Sequence, residues 1–146
     1  MKTEPEVYSI DDLKRDKEEP WEGIRNYQAR NFMRDDMKLG DGVLIYHSNS
    51  KPSGIAGTAT ICKEAHPDTF ALDPKSKYFF PKATPEKNPW VMVKVKYKGT
   101  FKNIISLEDI RATKGLEEML VIRKGSRLSI QPVTKKEYEL ILKKFS

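Results

Sequence analysis

WVMVKVKY, residues 90–97, is the stretch that decides the fold. Successive side chains of a β-strand point to opposite faces of the sheet, and this run alternates accordingly. One face carries Val91, Val93, Val95 and Tyr97, and the other carries Trp90, Met92, Lys94 and Lys96. The stretch therefore predicts a strand with one apolar face, which packs against a core.

Three other segments predict strands, at residues 43–48, 55–62 and 127–133. In the first of them, alternation places Val43, Ile45 and His47 on one face and Leu44, Tyr46 and Ser48 on the other. In the last, Arg127 and Ser129 share a face, while Leu128 and Ile130 point inward. Residues 66–89 contain five prolines and predict a long loop, and long structured loops are often functional.

Helix starts lie between these strands. Ser9 and Ser106 each precede an acidic residue by three positions, as Thr134 precedes Glu137, and this spacing is typical of an N-terminal cap. Residues 28–37 place their apolar side chains on one helical face and predict a further helix. Strands separated by loops and short helices indicate an α+β domain built on a small mixed sheet or partial barrel.

The composition predicts one soluble domain spanning residues 1–146. The chain has 27 Lys and Arg against 21 Asp and Glu, a formal net charge of +6, which favours anionic partners such as nucleic acid. The single cysteine, Cys62, excludes an internal disulfide and a multi-cysteine zinc site, and it favours the reducing cytoplasm. The sequence shows neither an apolar signal segment at its start nor the run of about 18 apolar residues that a membrane span needs.

Little in the sequence points to catalysis. The two histidines, His47 and His66, lack metal-ligand spacing with Cys62 or with paired acids. His47 and Ser48 are adjacent, but neighbours on a regular strand point to opposite faces and cannot form a catalytic hydrogen bond. We therefore expect a protein without enzymatic activity, metal or cofactor.

Aromatic residues flanked by polar hydrogen-bonding residues indicate a binding site instead. Four residues have this setting: Trp21, Tyr27, Tyr46 and Trp90. Aromatic faces stack on nucleobases at about 1–3 kcal/mol each, and neighbouring Arg, Asn, Gln and Ser side chains can read a base edge. The alternative is that Trp21 and Trp90 belong to the core and that the arginines only cover the surface.

Several motifs occur together in one order: WEGIRNYQARN (residues 21–31), GD (40–41), YHSN (46–49), AHPD (65–68), NPWVMV (88–93), SLE (106–108) and RLSIQPV (127–133). In this combination the chain resembles the EVE domain family over essentially its whole length. The resemblance implies a PUA-like fold, a twisted and mostly antiparallel β-barrel with flanking helices. It also implies a nucleic-acid reader that holds a modified base, such as methylated or hydroxymethylated cytosine or a modified RNA base, in an aromatic-lined pocket. Family members usually have a short aromatic-containing strand before the Lys-Thr/Ser-Glu-Pro motif, whereas this sequence opens with MKTEP.

Carried over residue by residue, the resemblance assigns the pocket to Trp21, Arg25, Asn26, Tyr27, Gln28, Arg30, Asn31, Tyr46, His47, Ser48, Trp90, Arg127 and Ser129. Because neighbours on a strand face opposite ways, Tyr46 and His47 cannot both line the pocket, which favours Tyr46 with Ser48. Residues 25–28 lie where a loop enters the predicted helix, and backbone N–H groups there are free to meet an anion or a base edge.

The expected partner is DNA or RNA, bound by a monomer. Phosphate contacts are predicted for Lys94, Lys96, Arg123 and Lys124, although such residues often form only a solvated face. One alternative is an enzyme acting on modified nucleosides, with His47 or Asp41 as its general base. Another is a small-molecule sensor or protein-interaction module that uses the same pocket.

Overall fold

The computed structural model describes residues 1–123 and 128–145, which form the predicted α+β domain. Its strands are β1 (Lys2–Thr3), β2 (Glu18–Trp21), β3 (Gly42–His47), β4 (Gly54–Pro67) and β5 (Val91–Ile105). Its helices are α1 (Ile10–Asp16), α2 (Tyr27–Asp35), α3 (Leu107–Arg111) and α4 (Lys135–Phe145), with short 3₁₀ helices at Thr69–Leu72 and Leu120–Ile122. Both β4 and β5 are longer than the segments that predicted them, because their pairing continues past several shifts in register.

The strands form one five-stranded sheet in the order β1-β3-β4-β5-β2. β1 runs parallel to β3, whereas the pairs β3–β4, β4–β5 and β5–β2 are antiparallel. β1 and β2 are therefore the two edges, and within the described residues they do not pair with each other. The predicted mostly antiparallel sheet is confirmed, but it does not close into a barrel.

The predicted last strand, at residues 127–133, is not a strand over its described part, residues 128–133. A backbone hydrogen bond of 2.8 Å from the N–H of Lys2 to the carbonyl of Ser129 joins this segment to β1. Pro132 has no N–H to donate, so it cannot extend a ladder there. Ile130 is buried as predicted and Leu128 is half-buried, while Arg127 and Lys124 lie outside the described residues.

Both faces of the sheet are covered, and the alternation along β3 shows how. Val43 and Ile45 pack in a cluster with residues of α1 and α2, whereas Leu44 and Tyr46 pack in a second cluster with residues of α3 and α4. This is the division of side chains that the sequence predicts for residues 43–46. One face of the opening stretch, formed by Val91, Val93, Val95 and Tyr97, joins the first cluster, where Val93 and Val95 are fully buried.

The three predicted helix caps are present. Ser9 accepts a hydrogen bond from the N–H of Asp12, whose carboxylate accepts one from the N–H of Ser9, and the same reciprocal pair occurs at the starts of α3 and α4. Each pair satisfies N–H groups that a helix start leaves without a partner, which fixes where the chain turns from the sheet into the helix. No helix within residues 1–123 and 128–145 is long and apolar enough to span a membrane.

His47 joins the end of β3 to the start of α1. Its side chain is almost buried, and its Nε2 accepts a hydrogen bond of 3.1 Å from the N–H of Ile10. Only an unprotonated nitrogen can accept, so the folded protein holds this imidazole neutral with its proton on Nδ1. Burial lowers the pKa of His47 below the ordinary value of 6.5, and the nearby charge of Asp11 acts in the opposite direction.

We predict that the free energy of unfolding falls as the pH decreases below 6.5. In that range the unfolded chain binds a proton at His47 that the folded protein excludes, and the loss continues until the lowered pKa of the folded state is reached. His47→Gln keeps an acceptor for Ile10 but does not titrate, so it should make this part of the pH profile less steep. Urea denaturation between about pH 5 and about pH 8 measures the effect.

His66→Gln is the matched control, because it makes the same substitution at the chain's other histidine, whose Nδ1 contacts the carbonyl of Glu64 at 2.8 Å. It should leave the acid slope in place. If the slope of His47→Gln equals that of the wild type, the assignment to His47 is wrong.

Candidate ligand-binding site at the open edge of the sheet

The carboxylate of Asp68 joins the turn after β2 to the long loop that follows β4. The side chain of Asp68 has 0% exposure. Its Oδ2 accepts hydrogen bonds from the N–H of Gly23 at 3.0 Å and from Nη1 of Arg25 at 2.9 Å, and its Oδ1 accepts one from the N–H of Phe70 at 2.9 Å. A buried carboxylate is tolerated only when donors surround it. These bonds therefore hold residues 22–25 against the loop at residues 68–90.

Arg25 uses its guanidinium on the protein itself. Nε and Nη2 donate to the carbonyl of Tyr78 at 3.2 and 2.6 Å, and Nη1 donates to the carbonyl of Ile24 at 3.1 Å as well as to Asp68. Each of its three nitrogens has an acceptor in the chain, so this predicted pocket residue positions the backbone of Tyr78.

Because Gly23 has no side chain, the ring of Tyr78 packs closely against the same turn. Gly23 has φ +83°, and a Cβ built there would lie 2.6 Å from the Tyr78 ring. Any other residue would be strained in this conformation and would collide with the ring. The glycine and the Arg25 hydrogen bonds therefore set the place of Tyr78 together.

A group of aromatic rings packs beside this turn. Tyr27 stacks on Trp90 with the ring centroids 4.7 Å apart, and Phe80 meets Trp90 edge-on at 5.4 Å. Trp90 is only 2% exposed, whereas Tyr27 is 54% exposed and carries the guanidinium of Arg30 over its outer face, 4.9 Å from the centroid. Trp90 is thus an interior residue, and Tyr27 covers it.

A cavity of about 430 Å³ lies in the gap between the edge strands β1 and β2. Its aromatic wall is formed by Trp21, Tyr8 and Tyr78. Trp21 ends β2 and is largely buried, and Tyr8 meets it edge-on with the centroids 6.4 Å apart. The remaining lining residues are Lys2, Thr3, Glu4, Val7, Glu19, Pro20, Glu22, Gly23, Ile24, Lys77 and Ser129.

The half-buried carboxyl of Glu22 is the perturbed acid of this cavity. Burial raises the pKa of Glu22 above its ordinary 4.5, and the charges of Glu19 and Asp68 raise it further. The Lys77 ammonium and the hydrogen bond that Glu22 accepts from its own backbone N–H oppose this shift. Burial also raises the pKa of the Tyr8 hydroxyl, as do its hydrogen bonds to acidic side chains.

The structure brings two of the predicted pocket residues, Trp21 and Ser129, to this cavity. Asn26 caps α2 by accepting from the N–H of Ala29 at 3.0 Å. Gln28 and Asn31 are exposed on α2. The predicted helix face is confirmed nearby, since Ala29 and Met33 are its buried residues.

The predicted residues of β3 lie elsewhere. Tyr46 lines a second cavity of about 410 Å³ on the other side of β1, and Ser129 borders both cavities. His47 bonds α1 as described above, and the N–H of Ser48 donates to the carbonyl of Thr3 at 2.9 Å. These three residues are not brought together with Trp21.

Of the predicted phosphate contacts, Lys94 lies 3.5 Å from Glu18 and Arg123 lies 2.7 Å from Glu118, while Lys96 is exposed. Lys124 and Arg127 fall outside the described residues. No group of three His, Cys, Asp or Glu side chains with metal-binding geometry occurs in the part of the chain that the structure describes.

Tyr8, Glu22 and Tyr78 are cavity residues that the sequence did not single out. Glu22 and Gly23 lie inside the WEGIRNYQARN motif, directly after Trp21, and this adjacency is the signal that could have identified them. Tyr78 reaches the cavity through contacts with residues more than 50 positions away, as its bonds from Arg25 show. Such contacts have no local signature in a sequence.

The fold and the cavity define a small α+β domain with an aromatic-lined, ligand-sized pocket at the open edge of its sheet. A model of the EVE domain matches residues 1–144. The chain belongs to the EVE domain family.

Individual relatives support the assignment. Thymocyte nuclear protein 1 from Homo sapiens is 38% identical over 160 residues, covering 97% of this chain and 71% of that protein. A crystal structure of a protein from Pseudomonas syringae matches with a TM-score of 0.92 at 46% identity, covering 98% of this chain and 95% of that chain. A crystal structure of human THYN1 protein in complex with 5-methylcytosine containing DNA matches with a TM-score of 0.87 at 40% identity, covering 98% and 94%.

We predict that Asp68→Ala lowers the free energy of unfolding by about 3–5 kcal/mol, because it leaves two backbone N–H groups without their acceptor and the Arg25 guanidinium without its carboxylate partner. Asp35→Ala is the control, since Asp35 pairs with Arg34 at 2.8 Å where both side chains are about half exposed. That exposed pair should contribute about 0–1 kcal/mol. Urea denaturation of both variants measures the difference, and equal small losses would contradict the role given to Asp68.

Proposed function

We propose that this chain is a nucleic-acid reader that holds a modified base, such as 5-methylcytosine, in the cavity between β1 and β2. The supporting observation is the aromatic wall of Trp21, Tyr8 and Tyr78, in a chain that is 40% identical to a human protein crystallised with 5-methylcytosine containing DNA. The cavity volume of about 430 Å³ falls within the range of small-ligand pockets.

The energetics suit a flipped base. Taking a base out of a duplex costs a few kcal/mol, and less when the base is already single-stranded. Stacking contributes about 1–3 kcal/mol per aromatic contact, so Trp21 together with one tyrosine offsets much of that cost. Hydrogen bonds to the base edge from polar cavity residues supply the remainder.

The predicted site residues then have two roles, contact with the ligand and support of the cavity wall. Trp21 and Ser129 contact the ligand from the cavity wall. Arg25 and Asn26 build the wall from behind, by holding Tyr78 and by starting α2. Trp90 supports the same turn from the interior.

Phosphates flanking the base are held by basic side chains near the cavity mouth. Lys77 lines the cavity, and Lys94 and Lys96 lie on β5, the strand that pairs with β2. Binding through such contacts weakens as the salt concentration rises, because releasing counterions into a more concentrated salt solution gains less free energy. We propose that the chain does this as a monomer in a reducing compartment such as the cytoplasm, and that it leaves the base chemically unchanged.

Trp21→Leu should weaken binding of a fluorescent single-stranded oligonucleotide containing one 5-methylcytosine by about 5- to 150-fold, because it removes a stacking face worth about 1–3 kcal/mol. Fluorescence anisotropy measures the affinity, and mass spectrometry of the recovered oligonucleotide tests whether the base is altered.

Phe101→Leu is the control, because it replaces a buried aromatic residue of the other core cluster, away from the cavity lining, by leucine. Both variants lose stability, so affinities are compared at a temperature where circular dichroism shows both folded. Equal affinity in wild type and Trp21→Leu would exclude this cavity as the base site. A chemically altered base would show an enzyme.

A further inference from the structure

Glu22 occupies a distinctive position in the cavity between β1 and β2. It follows Trp21 directly but lies beyond the end of β2, so strand alternation does not turn the two residues to opposite faces, and both line the cavity. The next residue, Gly23, is fixed by its hydrogen bond to the buried carboxylate of Asp68, at 3.0 Å. The backbone that carries Glu22 is therefore held by the interior of the protein, which limits where the carboxyl can lie.

The other two glutamates of the cavity are differently engaged. Glu4 is exposed, and its Oε1 accepts a hydrogen bond of 2.7 Å from Nδ2 of Asn49. Glu19 interacts with the hydroxyl of Tyr8, whose pKa it helps to raise. Glu19 and Glu22 are both half-buried on the cavity wall, but Glu19 is engaged with Tyr8.

The charges around Glu22 favour its neutral form. Glu19 on β2 and Asp68 on the long loop both repel a negative charge there, and Lys77 on the same loop attracts one. On the β1 side, Glu4 adds a further negative charge to the cavity wall, while the Lys2 ammonium lies 5.8 Å from the ring of Tyr46. Burial first, and then the charges of Glu19 and Asp68, raise the pKa of Glu22 above 4.5.

We propose that Glu22 is the specificity residue of the pocket, and that it reads a base edge on which a ring nitrogen acceptor lies beside an exocyclic amine, as in cytosine and adenine. This inference rests on the proposed reader function. It adds a ligand class to that function: amino-bearing bases bound with uptake of one proton.

The chemistry follows from the carboxyl group. A neutral carboxyl offers one O–H donor and one carbonyl acceptor side by side. Cytosine offers the complement, because its ring N3 accepts and its N4 amine donates, so the two groups form paired hydrogen bonds. The ionised carboxylate has acceptors only, and one of its oxygens would then oppose the lone pair of N3. One proton from solvent therefore bridges Glu22 and N3 in the complex, whichever atom carries it.

In this arrangement, residues other than Glu22 recognise the modification on the base. On a cytosine ring, C5 lies away from the N3 atom that Glu22 would hold. A 5-methyl group therefore meets the aromatic wall of the cavity and not the carboxyl. Edge reading and methyl reading are separate contacts, and separate substitutions test them.

The test measures affinity across about pH 5 to about pH 8 for two single-stranded oligonucleotides. One contains 5-methylcytosine, and the other contains its 3-deaza analogue at the same position, in which ring N3 is replaced by C–H. Wild type should prefer 5-methylcytosine by about tenfold at the acidic end, the worth of one charge-neutral hydrogen bond of about 1.4 kcal/mol, and the preference should vanish as the pH rises. The deaza analogue should bind without this pH dependence.

Two substitutions at Glu22 separate the steps of the proposal. Glu22→Gln keeps a donor and an acceptor but does not titrate, so it should retain the preference at every pH. Glu22→Ala should lose the preference throughout while keeping the stacking contribution. Glu86→Gln is the charge-matched control, since Glu86 is exposed on the long loop and its change should leave the wild-type profile intact.

The outcomes distinguish this inference from the function on which it rests. If wild type binds 5-methylcytosine and Trp21→Leu weakens that binding, but Glu22→Gln and Glu22→Ala both behave as wild type, then Glu22 is not the reader and the reader function stands. If wild type binds neither oligonucleotide, both proposals fail. Circular dichroism of each variant across the pH range separates loss of binding from the acid destabilisation expected from His47.

Discussion

A carboxylate with no solvent exposure needs hydrogen-bond donors from the chain around it. The buried carboxylate of Asp68 takes its donors from two segments. The turn after β2 supplies the N–H of Gly23 and the guanidinium of Arg25, and the loop after β4 supplies the N–H of Phe70. Neither segment belongs to a strand over these residues, so the hydrogen bonds of Asp68 help to fix their mutual position. The same Arg25 then fixes the carbonyl of Tyr78, which carries the constraint to the cavity wall.

The cavity lies where the sheet is open, between its edge strands β1 and β2. β1 has only two residues, and it pairs on one side with β3 and on the other with the backbone of Ser129. β2 pairs with β5 alone among the described strands. Closing the sheet would have required β1 and β2 to pair directly, whereas a cavity lies between these two strands. The incomplete barrel and the cavity are therefore one feature of the fold.

Much of the fold could be predicted from local sequence, because local rules govern it. Alternation assigns the side chains of β3 to two faces, and the cap spacing at Ser9 locates the start of α1. The site is less accessible to such rules. Arg25 has the same planar donors whether it binds a ligand or a carbonyl of its own chain, and only the position of Tyr78, 53 residues along the sequence, decides between these roles. Trp90 presents a similar ambiguity, which its burial resolves.

The composition of the WEGIRNYQARN motif suggests that its polar residues bind a ligand, but several of them bind other parts of the protein instead. Arg25 and Asn26 have partners inside the protein, and their chemistry is used to hold backbone at defined positions. Glu22, flanked by Trp21 and Gly23, is the acidic residue of this motif, and it lines the cavity at partial burial. A group at that depth is dry enough for its protonation to be shifted by neighbours and exposed enough to exchange a proton when a ligand arrives. We infer that the buried ion at Asp68 gives the pocket its shape, while the titratable carboxyl at Glu22 gives it a chemical preference, and that the motif needs both because rigidity alone does not distinguish one planar ring from another.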